Sequence, residues 1–221
     1  MESIELITVA GTDALAERER LRARFKKTGL YPVLFGDAAD HRRLMDSIVV
    51  PNSRQEIVDE AATVVFPDWF LERLNANLEP RPGEIDAWVE EAGDEMGIVT
   101  HLNVDSGLPK DQVTIGLLPV ADPADLFAVL RWGGWNDCPW PAEHVAVQRH
   151  WATRFGSEVL AITGDVVECL VARPPQDRPT ALRLAKEQIA YCEAIIERGT
   201  LDLPSLAAGL VDSRYWFFWW D

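Results

Sequence analysis

Cys138 and His144 are the two residues of this chain whose types could together make a nucleophile, a thiol rendered acidic by a nearby imidazole. Both belong to one short neighbourhood, Arg131-Trp132-Gly133-Gly134-Trp135-Asn136-Asp137-Cys138-Pro139-Trp140-Pro141 and the residues just after it. Asn136 or Asp137 would orient the imidazole. Two features oppose that chemistry. Asp137 directly precedes Cys138, so its side chain points elsewhere, and no oxyanion-hole signature accompanies the thiol. The plainer reading is a buried structural cysteine and a histidine on a packing face, because His144, Gln148, Trp151 and Phe155 recur at i, i+4, i+7 and i+11.

The loop itself also has two readings. Two glycines allow close backbone approaches, while three tryptophans and two prolines limit its freedom. It is then either a rigid buried corner, with Asn136 and Asp137 bonding backbone groups and capping the helix after Pro139, or a ligand pocket lined by tryptophan. The candidate binding residues are Trp135, Asn136, Asp137, Arg149, Trp151 and the terminal Asp221. Arg149 or Arg154 would pin Asp221, whose side-chain and α-carboxylates sit together.

Other chemistries lack their parts. His144 and His150 are six apart and point opposite ways along a helix, and His41 and His101 lie far off, so no metal is expected. Gly11 stands alone without a GxGxxG or a Lys-Ser/Thr pair, so no cofactor is expected either, and no GxSxG elbow is present. Cys138, Cys169 and Cys192 are an odd number without CxxC spacing, which argues for reduced thiols.

With 221 residues, 48% hydrophobic, the chain can bury a full core. Its formal charge of −15 opposes nucleic acid, whose recognition needs clustered Lys and Arg, and suits a basic protein partner. Glu2 and Glu5 stand where an export signal would be basic. The longest apolar runs fall far short of the ~20 residues that span a bilayer. These features predict a cytoplasmic protein with no membrane partner; nothing in them argues against a small-molecule ligand.

The elements that must position these residues follow from local patterns. Ile4 to Val9 alternates as a strand, Asp13 to Lys27 reads as a helix stopped by Gly29, and Tyr31 to Gly36 is a second strand, together a β-α-β unit. Helices are expected at Ser53 to Ala62 and Pro67 to Asn77. Glu84 to Glu95, with six acids and no base, reads as a short acidic helix. Gln112 to Val120 is a central strand, and Asp122-Pro123 caps a helix to Arg131. Another helix runs from Ala142 to Phe155. Strands Val159 to Thr163 and Val166 to Ala172 flank a turn, and Thr180 to Arg198 reads as the longest helix. Tyr215 to Trp220 is aromatic on both faces and would be a strand covered on both sides. The fold class is α/β or α+β, a mixed sheet with helices packed on it. Two regions, 1–110 and 111–221, are expected, and the sequence does not decide whether they share one core.

Gly133-Gly134-Trp135-Asn136-Asp137-Cys138-Pro139, then His144, Arg149, Trp151, Arg154-Phe155-Gly156, Tyr191-Cys192 and Phe218-Trp219-Trp220-Asp221, resembles an uncharacterised bacterial domain family common in actinobacteria. The resemblance covers about Gln112 to Asp221, and Tyr31 to Leu34 is similar to that family's more variable N-terminal part. Asp137 stands where Glu is expected and Phe155 where Tyr is expected. The resemblance implies a bacterial, cytoplasmic protein and carries no activity. Two functions remain: a non-catalytic binding protein, as an acidic partner or inhibitor of a basic protein, or an enzyme or small-molecule binder using the Trp135 to His144 pocket, with Cys138 as nucleophile.

Overall fold

The computed structural model describes residues 4–47, 51–77, 97–196 and 202–220. Six strands form one sheet in the order β1-β3-β2-β4-β5-β6: β1 (Glu5–Val9), β2 (Leu30–Gly36), β3 (Val113–Pro119), β4 (Ser157–Ile162), β5 (Val166–Val171) and β6 (Tyr215–Trp219). Neighbours are antiparallel except β2 and β4, which run parallel with Leu34 opposite Ala161. The helices are α1 (Ala14–Arg22), α2 (Phe25–Thr28), α3 (Ala38–Asp46), α4 (Arg54–Ala61), α5 (Asp68–Asn77), α6 (Leu126–Leu130), α7 (Pro141–Phe155), α8 (Arg178–Tyr191) and α9 (Leu203–Leu210). This is the mixed sheet with packed helices that the patterning predicts.

Strand alternation divides the buried side chains between two faces. Tyr31, Val33 and Phe35 of β2, Val159 and Ile162 of β4, and Trp216 and Phe218 of β6 face the larger core, against Val145, Trp151, Leu184 and Leu206 of the helices. Leu34, Ile115, Leu117, Leu160 and Ala161 face a smaller core completed by Ala14 of α1 and by Ile98. Residues from before and after position 110 enter both clusters.

Several expectations are refined. The first β-α-β unit is split, because β3 lies between β1 and β2 and pairs antiparallel with each. The first helix breaks after Arg22 and resumes at Phe25. The helix at Thr180 to Arg198 is interrupted: α8 stops at Tyr191, Cys192 is extended, with φ −145°, its thiol meeting the Trp219 carbonyl at 3.1 Å, and helical structure resumes at residues 194–196. Among the described helices α7, with 15 residues, is longer than α8, with 14. β6 is an edge strand with one sealed face: Trp216 and Phe218 are buried, while Tyr215, Phe217 and Trp219 are only partly covered. Helix α9, with Asp202 accepting from Ser205 N and Pro204 in its first turn, has no counterpart in the sequence reading. The expected acidic helix at Glu84 to Glu95 lies outside the described residues.

Candidate functional site

Helix α6 ends on Arg131 in the left-handed region, φ 52°, and the chain turns sharply through Gly133 and Gly134, with φ 114° and 87°. Only glycine fits at Gly133. A Cβ there would lie 2.3 Å from the Pro139 carbonyl oxygen and 2.7 Å from His144 Cδ2. That close approach lets the His144 imidazole sit directly beneath the loop. Its ring stacks on Phe127 at 4.7 Å and lies near Trp132, Tyr191 and Trp220 at 4.9, 5.2 and 5.6 Å. Trp132 is fully buried, and its Nε1 donates to the Thr163 carbonyl at 2.8 Å, tying the loop to the β4–β5 turn.

His144 Nε2 lies 3.4 Å from Cys138 Sγ, and Nδ1 lies 2.6 Å from the Tyr191 hydroxyl. The Pro139 carbonyl accepts from the ring on the Nε2 side, where both lie against Gly133. That assigns the neutral Nε2–H tautomer, with Tyr191 O–H donating to Nδ1. Burial dominates the electrostatics. It pushes the Cys138 thiol well up and, with Arg73 nearby, His144 well down, while Tyr191 is raised by burial. Cys138 and His144 are 4% and 0% exposed. The pair is therefore a neutral thiol beside a neutral imidazole, sealed by aromatic rings, and a thiolate in this place would be unsolvated.

The remaining candidates separate. Asn136, with φ 46°, and Asp137 form the exposed tip of the turn, and Trp135 is half-buried against Trp132 at 4.8 Å. Asn136 and Asp137 do not cap α7. The helix starts at Pro141, and Glu143 closes its first turn by accepting from Trp140 N at 2.6 Å. Arg149 pairs with Asp122 at 3.0 Å and Asp125 at 2.6 Å. Trp151 is fully buried, with Nε1 on Glu187 at 2.9 Å, and Arg154 also pairs with Glu187. Asp221 lies outside the described residues.

A second constellation surrounds the loop on its outer side. The Glu143 carboxylate receives Trp69 Nε1 at 2.7 Å through one oxygen and Trp140 N through the other. Arg73 donates to the carbonyls of Asp137 and Ala190, both at 2.7 Å, and lies over the Trp69 ring at 5.1 Å. Trp69, Glu143, Trp140, Asp137 and Arg73 thus join α5, the loop and α7 into one surface. Trp140 is 56% exposed, and its ring lies on Gly134, where a Cβ would be 2.5 Å from Trp140 Cε3. Sequence reasoning missed Trp69, Arg73 and Glu143 because their partners are remote in the chain; the signal within reach was Glu143 three residues after the residue preceding α7.

Two clefts lie elsewhere. One of about 240 Å³ is lined by Arg22, Asp122, Gln148, Ser157 and Glu158, and a shallower one of about 690 Å³ by Arg154, Arg173, Asp177, Asp212 and Arg214. Neither includes Cys138 or His144. Among the described residues no group of His, Cys, Asp and Glu could hold a metal ion, and no helix is long and apolar enough to cross a membrane.

Residues 114–221 match the model of DUF4253, a domain of unknown function. The match runs from the second residue of β3 through the Gly133 to Pro141 loop and α7 to the aromatic strand β6. No curated protein and no solved structure matches the chain.

Proposed function

We propose that this chain is a non-catalytic protein-binding module that engages a basic partner. One observation carries the reading: the residues with nucleophile chemistry, Cys138 and His144, touch each other but are neutral and sealed in the core, while the same loop turns Asn136, Asp137 and Trp140 outward. The reactive groups hold the loop in shape, and the loop presents the surface. A formal charge of −15 adds long-range attraction for a basic protein and repels phosphate backbones. The location that goes with this reading is cytoplasmic, in a bacterial cell.

The test is affinity capture with the full chain at low salt, followed by reconstitution from purified components. The expected result is a stoichiometric complex with a protein of high isoelectric point, whose association rate falls steeply as salt screens the charges. A complex indifferent to salt, or no stoichiometric partner at all, removes the reading.

A further inference from the structure

We infer that Trp140 and the carboxylates around it form the seat for an arginine or lysine side chain of that basic partner, a proposal that rests on the function proposed above. Trp140 is the most exposed of the described tryptophans, at 56%, yet it is not loose. Its backbone N–H is held by Glu143, Pro141 follows it, and the glycine at 134 lets the indole pack closely against the loop. A rigid, partly exposed tryptophan meets a partner with little ordering cost. Among the described residues, no ring or cation is stacked on it.

The surroundings select the partner's chemistry. Asp137 is exposed and Glu143 is half-buried, and Glu143 holds the Trp140 N–H. Asp68 and Glu72 are exposed on α5, next in sequence to Trp69 and to Arg73, whose guanidinium is committed to the carbonyls of Ala190 and Asp137. Arg73 lies over Trp69, 5.1 Å from the ring centre, so this surface already accommodates a guanidinium on an indole. Trp69 and Trp140 hang from the two oxygens of the same Glu143 carboxylate. A cation arriving over Trp140 would find an aromatic face and negative charge together, the combination that favours Arg or Lys. A second copy of this chain would bring a second net charge of −15 and be repelled. A purely apolar segment would leave the carboxylates desolvated and unpaired.

The test uses the purified full chain and a nona-arginine peptide as probe, with affinity read by titration calorimetry and by indole fluorescence at low and at moderate salt. Trp140→Ala should weaken binding at least about fivefold, and Trp140→Phe less. Asp137→Asn and Glu72→Gln should each weaken it about two- to threefold. Glu5→Gln and Glu19→Gln, exposed carboxylates on β1 and α1, serve as controls and should leave the affinity unchanged. Near-UV circular dichroism of each variant establishes that the aromatic core is intact. If Trp140→Ala binds like the parent, or the controls weaken binding as much as Asp137→Asn, the seat is wrong and only diffuse acidic attraction stands. If the parent fails to bind the peptide even at low salt, the seat and the basic-partner reading fall together.

Discussion

Replacing Gly133 with alanine tests whether the loop is held by close approach. The backbone there has φ 114°, a conformation nearly reserved for glycine, and forcing a side chain into it costs about 1–3 kcal/mol. The added Cβ would also stand 2.3 Å from the Pro139 carbonyl oxygen and 2.7–2.8 Å from two atoms of the His144 ring. The carbonyl belongs to the backbone and the ring is clamped among Phe127, Trp132, Tyr191 and Trp220, so neither can yield cheaply. Overpacking of this kind costs about 1–3 kcal/mol more. The sum is about 4 kcal/mol, which for a chain of this size lowers Tm by about 8–16 °C. Gly29→Ala is the control. Its φ is 70° and nothing lies within 4 Å of the added Cβ, so only the backbone cost of about 1 kcal/mol applies, or about 2–4 °C. Thermal unfolding followed by near-UV circular dichroism reads both variants. A Gly133→Ala protein that melts no lower than Gly29→Ala would refute the steric account of the loop.

Three further outcomes follow from burial. Native protein should resist Ellman's reagent at pH 8, because Cys138, Cys169 and Cys192 are all buried and burial pushes Cys169 and Cys192 up to about 12; three thiols should appear in denaturant, and rapid labelling of the native form would show the seal to be open. His144 is held neutral, its folded pKa below the ordinary 6.5 through burial, so its contribution to stability is complete above about pH 6.5 and is lost as pH falls toward the folded value, at up to about 1.4 kcal/mol per pH unit. Urea midpoints of the parent should fall more steeply than those of His144→Gln over that window, and parallel curves would contradict the assignment. Glu168 has the opposite sense. Burial raises its pKa above 4.5 although it accepts from Val99 N and Thr100 N. Its contribution is therefore full below about pH 4.5 and is lost as pH rises through the folded value, a slope that Glu168→Gln should abolish.

Local chemistry was legible where one stretch of chain decides it. Ser53 and Glu56 form a reciprocal cap for α4, Asp122 caps the turn before α6 through Ala124 N, and Gly156 ends α7 with φ 63°; each rests on residues within a turn of one another. The helical face of His144, Gln148, Trp151 and Phe155 was legible for the same reason, and all four are buried. Strand order was not, because nothing in β1 or β2 announces that β3, some 80 residues on from β2, will lie between them. Nor could the sequence decide between a reactive and a sealed Cys138. The thiol meets His144 of α7, and that imidazole is in turn enclosed by Tyr191 of α8 and Trp220 beyond β6, segments joined only by the fold. The Trp69 to Glu143 bond spans 74 positions and leaves no local trace at either end.

The place of β2 decides where the chain can be cut. The segment that matches the family model begins at residue 114, inside β3, yet β3 does not touch β4; β2 stands between them and supplies both seams. An excised fragment from residue 111 would leave β3 with neither neighbour and β4 with a bare edge, and it would remove Tyr31, Val33 and Phe35 from the larger core. Such a fragment would expose unpaired strand edges and apolar surface, the recipe for self-association. The stretch from Leu30 to Gly36 is thus the splint of the matched segment, and the smallest excisable unit must carry it.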